Sequence, residues 1–238
     1  MINKAISEYF RKRRFGFFTT FLQQAGKAAN IENRTVRILD IGGTQSYWTS
    51  MGHDLGGQTE IVLLNLYKNE ASLPGFSSII GDACDLKDIK DKSFDIVFSN
   101  SVIEHLFTKE QQQKMAVEAE RVGKSYFIQT PNRYFPIEPH WSFPFFQFLP
   151  FSLQVFLTQH FTLGNIKKAR TREAAIALVK EVRLLSKNEF ADLFTGPQIF
   201  EEKFLGLTKS FTAYKIAAHD NKMVAAVSTA KNEWYGII

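Results

Sequence analysis

An apolar run that stops on paired glycines, Val36-Arg37-Ile38-Leu39-Asp40-Ile41-Gly42-Gly43, sets the strongest limit on how this chain can fold. Aliphatic and β-branched residues in succession make a short strand covered on both faces. The glycines let the backbone turn sharply at its end and come close to a ligand. Further runs of the same character occur at residues 60–66, 77–80, 94–99 and 125–129. Residues 109–122, rich in Gln, Lys, Glu, Ala and Met, are strong helix formers between the last two of these. Strand-like and helix-like segments alternating in this way predict parallel βαβ construction. Residues 4–29 read as a helical lead-in. A helix from about Ser46 follows the glycines, another spans Lys187–Phe194 with Ser186 as its N-cap, and runs at 198–205 and 210–217 close the chain as an antiparallel pair.

From Thr130 the pattern changes. Residues 130–144 contain four prolines and predict no regular element, and residues 145–180 then read as two helices, the first apolar and the second basic. At 238 residues the chain suits one domain, 1–238, with a lead-in over 1–30 and an aromatic-rich insertion or lid over about 131–183. Seven phenylalanines lie between 143 and 161. A lid burying its own small core is the plainer reading; an apolar acceptor pocket or a membrane-touching patch is the sharper one. The apolar stretch 143–157 is too short and too broken by Pro144 and Pro150 to span a bilayer.

Composition narrows the class. With 45% hydrophobic and 22% charged residues the chain can build a core unaided, and its single cysteine, Cys84, excludes an intrachain disulfide and points to the cytosol. The net charge is +5, and Arg11-Lys12-Arg13-Arg14 holds four of the cations. Such a run is most often a solvated helix face. With Phe10, Phe15, Phe17, Phe18 and Phe21 around it, contact with an anionic membrane surface is the alternative. No recognition motif accompanies the charge, which argues against nucleic acid. Oligomeric state cannot be read from the sequence.

The glycine loop is not the dinucleotide fingerprint, because Gly42-Gly43-Thr44-Gln45-Ser46-Tyr47 does not follow its Gly-x-Gly-x-x-Gly pattern. It resembles instead the first motif of class I S-adenosylmethionine (SAM)-dependent methyltransferases, with Asp40 and Gly42 matching and Thr44 and Ser46 standing where later glycines usually do. The likeness continues in order. Asn65 stands where the family carries a ribose-gripping acid, Gly81-Asp82-Ala83 resembles the adenine motif, and Ser93 to Leu106 looks like the fourth-strand motif of ubiquinone-type and type 11 methyltransferases, ending in Glu104-His105-Leu106. The resemblance implies a Rossmann-like α/β fold, a seven-stranded, mostly parallel sheet with helices on both faces. It also implies SAM as cofactor, held by Asp40, Gly42, Gly43, Asn65, Asp82, Ala83 and Asn100.

Methyl transfer to a hydroxyl benefits from a base near neutral pKa, which makes His105 and His140 the expected catalytic residues. His105 follows the fourth strand; His140 lies two residues after Glu138 in the proline-rich stretch. Histidines 53, 160 and 219 have no such setting, and no repeated His/Cys/Asp spacing suggests a metal. Residues 130–140 also resemble bacterial methyltransferases of surface-polysaccharide pathways, which implies a small-molecule or glycan acceptor, lipid-linked in one version, with O-directed transfer. The alternative is a SAM-fold binding protein without catalysis, motivated by Asn65 and the missing glycines, or a peripheral membrane module.

Overall fold

The computed structural model describes residues 2–28, 35–52 and 59–217, the side chains of 2–7 and 28 excepted. His53, His219 and the final twenty residues lie outside the described residues. Five strands run parallel: β1 (Val36–Ile41), β2 (Thr59–Asn65), β3 (Phe76–Ile80), β4 (Phe94–Asn100) and β5 (Gly123–Pro131). Two more, β8 (Gln198–Phe204) and β9 (Leu207–Lys215), pair antiparallel with each other, and β9 pairs antiparallel with β5. The sheet order is β3-β2-β1-β4-β5-β9-β8, so the chain changes direction of travel between β1 and β4. Open parallel sheets bind ligands in the crevice that such a reversal leaves outside the carboxyl ends of the strands.

Alternation along the strands explains the layers. Ile38, Ile61, Leu63, Ile96, Phe98 and Phe127 point to one face, where they meet helix α1 (Ile2–Ala28) through Phe15, Phe17, Phe18, Phe21 and Ala25. Leu39, Ile41, Val62, Leu64, Val97 and Ile128 point to the other, against Met115, Ala116, Ala119 and Val122 of α3 (Lys109–Val122) and Phe190 of α6 (Lys187–Ala191). A period of two in the strands thus feeds two cores. Both helix starts on the second face carry capping boxes, Thr108 with Gln111 and Ser186 with Glu189.

The phenylalanines of α1 correct one expectation. Phe10, Phe15, Phe17, Phe18 and Phe21 are all buried, so none of these five rings is left to lay on a membrane beside the basic run. Arg14 leaves the run as well: it is 6% exposed, and its guanidinium donates to Glu202 Oε2 (2.9 Å), Gln129 Oε1 (3.1 Å) and Asn100 Oδ1 (2.5 Å).

The lid follows β5. Its proline-rich part is not wholly irregular, because β6 (Ile137–Glu138) and β7 (Phe143–Pro144) form a two-residue antiparallel pair. Helices α4 (Phe151–His160) and α5 (Arg172–Glu181) pack on Trp141 and Phe146 around a third small core with Val155, Ala175 and Val179. Of the seven phenylalanines at 143–161 only Phe146 is buried; Phe143 is half-buried, and Phe145, Phe148, Phe151, Phe156 and Phe161 are exposed.

Candidate active site at the carboxyl edge of the sheet

Register brings the predicted residues to one edge. Ile41 lies beside both Leu64 and Ser99, Asn65 beside Ile80, and Asn100 beside Gln129. Gly42, Asn65, Gly81 and Asn100 therefore stand at the same end of neighbouring strands.

The glycine loop shows why it needs its two glycines. Gly42 has φ +73°, and a Cβ there would press on Val102. A Cβ on Gly43 would fall on the Asp40 carboxylate, which packs directly beneath it. Gly42 N donates to Leu64 O at 2.8 Å, pinning the turn to β2. Thr44, where a later glycine would stand, has a use of its own: it is the N-cap of α2 (Gln45–Ser50) and accepts from Tyr47 N at 3.3 Å. The loop is thus built with a capping hydroxyl in place of a glycine.

Asp40 is 1% exposed and accepts from Trp48 Nε1 at 2.6 Å. Burial pushes its carboxyl up to about 7, with the Trp48 bond pulling the other way. Nothing in the sequence marks Trp48 as the partner, since it sits on the following short helix with an ordinary aromatic role open to it. Asn65 turns its amide toward the loop, Nδ2 donating to Gly43 O at 2.9 Å, and Asn69 joins it at 3.2 Å. Its Oδ1 has no partner among the described residues. Asp82 is exposed, and one of its oxygens accepts from Cys84 N at 2.8 Å, the loop-capping arrangement of an Asx turn. Ala83 is buried beside it. Asn100 accepts from Arg14 through Oδ1, so its amide N–H groups take no part in that bond.

A second cluster lies just past the end of β4. Ile103–His105 form a single 3-10 turn, and Glu104 within it is fully buried. Glu104 Oε2 accepts from Thr130 Oγ1 of β5 at 3.1 Å; its Oε1 is buried with no partner among the described residues. His140 reaches the same place from the lid. Glu138, 1% exposed, accepts from the backbone N–H of His140 and Trp141 at 2.7 Å each and faces His140 Nδ1 at 2.6 Å. That bond sets the His140 tautomer and aims its Nε2 at His105 Nε2, 3.3 Å away. Burial, helped by the neighbouring His140 charge, lowers His105 to about 4. Burial lowers His140 too, but the Glu138 bond and charge outweigh it and the net shift is upward. Burial raises Glu104 to about 7. Sequence spacing gives no sign of a metal site, yet one ligand atom from each of Glu104, His105 and His140 lies within 4.8 Å of the other two. Glu104 and Glu138 thus stand against the two histidines, although the sequence pattern gives only the histidines a chemical role.

Residues 39–126, from the glycine strand through β5, match the family described as methyltransferase domain. That stretch of the chain carries a methyltransferase domain. Two uncharacterized proteins of Mycobacterium tuberculosis are 38% identical over 58 residues, which is 24% of this chain and 20% of their own length. In fold, the chain is also similar to solved structures. An arsenic(III) S-adenosylmethionine methyltransferase from Chlamydomonas reinhardtii is 17% identical, with 80% of this chain and 66% of that one covered and a TM-score of 0.46. A SAM-dependent methyltransferase from Aquifex aeolicus is 12% identical, with 80% and 87% covered and a TM-score of 0.43. SAM is the cofactor the family implies, and the residues present fit it. Gly42 and Gly43 let the loop pack tightly over Val102 and the Asp40 carboxylate with no side chain of their own on the turn, a buried acid suits a cationic cofactor, and Asn65 and Asn100 keep polar atoms free at the strand ends.

The Asp40 carboxyl makes this edge measurable. In the unfolded chain it ionises near pH 4, as carboxylates ordinarily do, so from about pH 4 to 7 the folded protein keeps a proton that the unfolded chain has released. Stability from this group therefore falls as pH rises through that window. In urea unfolding without cofactor, wild type should lose stability relative to Asp40→Asn between about pH 4 and 7 and run parallel to it above about pH 8. Parallel curves throughout would mean that Asp40 is ionised in the fold.

Proposed function

We propose that this chain transfers a methyl group from SAM to a hydroxyl of a small-molecule or glycan acceptor. The observation that carries the reading is the meeting of two things at one edge of the sheet: the Asp40–Gly43 loop with Asn65 and Asn100, and, one turn beyond Asn100, the His105–His140 pair braced by Glu138. When bound, SAM supplies the electrophilic methyl carbon and the thioether leaving group.

The chain's own residues have three tasks. The glycine loop and the two asparagines hold the cofactor and fix its direction, which is where most of the acceleration of an in-line displacement comes from. The lid covers the histidine pair and excludes water from it; Trp141, stacked on Phe146 at 4.4 Å between ring centres, forms its inner wall. The histidine pair receives the acceptor hydroxyl and takes up the change in its protonation, with Glu138 holding the His140 ring in place. A cavity of about 200 Å³ within the lid is lined by polar Arg133, Glu138, Gln147 and Gln154 and by apolar Trp141, Phe146, Val179, Val182 and Leu184, a mixed wall that suits an acceptor with both apolar and hydroxyl-bearing parts. Hydroxyl rather than carbon as the nucleophile is the reading the histidine pair supports.

A second reading concerns where the acceptor is presented. Phe145, Phe148, Phe151, Phe156 and Phe161 are exposed on the lid, and exposed Lys167, Lys168, Arg170 and Arg172 lie on the same insertion. No helix among the described residues is long and apolar enough to cross a membrane. Exposed aromatic rings with cations nearby favour contact with an anionic lipid surface, and so a lipid-linked acceptor. Co-sedimentation with vesicles containing phosphatidylserine should then exceed that with neutral vesicles and fall when Phe148, Phe151 and Phe156 are replaced by serine. Equal sedimentation with both vesicle types removes the lipid-linked version.

Calorimetric titration with SAM tests the main reading. The full chain should bind one SAM. His140→Ala should keep that affinity within about twofold while losing at least about a hundredfold in release of S-adenosylhomocysteine on a panel of hydroxylated acceptors. No binding at millimolar SAM overturns the reading, and binding without turnover on any acceptor favours a SAM-fold binding protein.

A further inference from the structure

The cluster beyond β4 contains more than a pair of proton carriers needs. Glu104 is fully buried, and one of its oxygens has no partner among the described residues, although a buried carboxylate oxygen without a donor is costly. It shares its surroundings with two imidazoles: one carboxylate oxygen and one nitrogen from each ring lie within 4.8 Å of one another. His140 is prepared in the way metal-bound histidines usually are, its Nδ1 tied to a buried carboxylate that is itself held by two backbone N–H groups.

The geometry points to a divalent transition-metal site formed by Glu104, His105 and His140, with Glu138 as the positioning residue behind His140. The separation of the two rings fits. Metal–nitrogen bonds of about 2.0–2.1 Å at the tetrahedral angle put two ligand nitrogens about 3.3–3.4 Å apart. The two Nε2 atoms stand 3.3 Å apart, edge to face, with ring planes at 85°. Two nitrogens and one carboxylate oxygen make an incomplete set that leaves a position for water or a substrate oxygen, and this donor mixture suits Zn²⁺, Co²⁺, Mn²⁺ or Fe²⁺ over Mg²⁺ or Ca²⁺. Without an ion, one Nε2 must carry a proton and donate it to the other, and that arrangement gives Glu104 Oε1 nothing to bind. An ion serves all three ligands together.

The ligands come from two parts of the chain, Glu104 and His105 from the turn after β4 and His140 from the lid, so the ion would also fasten the lid to the sheet. In acceptor chemistry this deepens the reading above and rests on it: the histidine pair would act on the hydroxyl through an ion that lowers the hydroxyl's pKa, not as a free base. Sequence spacing hides such a site because His140 is 35 residues from His105.

Cobalt supplies a readout that does not depend on turnover. Full-length protein freed of metal with a chelator and titrated with Co²⁺ should take up one ion per chain, with the intense visible absorption of a low-coordinate nitrogen–oxygen site, and Zn²⁺ should displace it. Glu104→Gln and His140→Gln should weaken Co²⁺ binding at least tenfold, Glu138→Gln by about tenfold to a hundredfold, and His160→Ala not at all. Circular dichroism and thermal melts of each variant separate lost ligands from lost folding. Absence of Co²⁺ uptake, or uptake unchanged by both Glu104→Gln and His140→Gln, overturns the site. Calorimetry with SAM on the same samples keeps the two readings apart: SAM binding without Co²⁺ binding removes the metal site alone, and Co²⁺ binding without SAM binding removes the methyltransferase reading alone.

Discussion

A buried guanidinium ties the molecule together at its working edge. Arg14 comes from α1, the first element of the chain, and its partners come from three strands: Asn100 at the end of β4, Gln129 in β5 and Glu202 in β8. Glu202 is held below the usual carboxylate range, since the charges of Arg14 and Lys209 and the bonds from Arg14 and Ser210 outweigh its burial. Removing one member of such a buried pair costs about 3–5 kcal/mol, because the partner is left without compensation. The position of α1, the direction of the Asn100 amide and the seating of the antiparallel strands therefore depend on the same few hydrogen bonds. Phe17 stacked on Phe200 at 4.4 Å and Phe18 against Phe98 at 4.7 Å extend that contact along the sheet face.

Three cores follow from this arrangement, and the candidate site lies where they meet. Two fill the faces of the sheet. The third belongs to the lid, with Trp141 donating to Thr158 at 2.9 Å so that the indole is satisfied inside it. Glu138 sits at the junction. Its carboxylate organises the turn of His140 and Trp141 while the same group aims His140 back at the sheet. Lid folding and site assembly are in this sense one event.

The sheet was legible from the sequence because hydrophobic period and glycine punctuation are local. Residues 36–41 and 109–122 form their strand and helix with the predicted bounds, and Ser186 caps α6 as its spacing implies. The order of strand ends was legible too, since each motif residue closes its own strand. What the sequence concealed depends on long-range pairing. Arg14 looked like one more solvated cation, and only the fold supplies a buried acid 188 residues away. Thr44 looked like a missing glycine until the cap of α2 gave it a use. Glu104 and Glu138 carry no pattern of their own; burial and proximity to His140 give them their importance. The five lid phenylalanines that remain exposed could not be told from Phe146, because helical period does not say which face has a partner.

On the function proposed above, the carboxyl edge of β1, β2 and β4 binds the cofactor as one surface, with the lid histidine beside it. Hydrogen exchange of the full chain with and without SAM tests this most directly, because the backbone amides involved belong to separated segments. Exchange should slow on SAM addition at residues 41–45, 64–67, 81–84 and 100–106, with the far ends of the same strands, such as residues 36–38 and 94–96, unchanged. Protection confined to the lid or spread evenly over the sheet, or no change at saturating SAM, would contradict it.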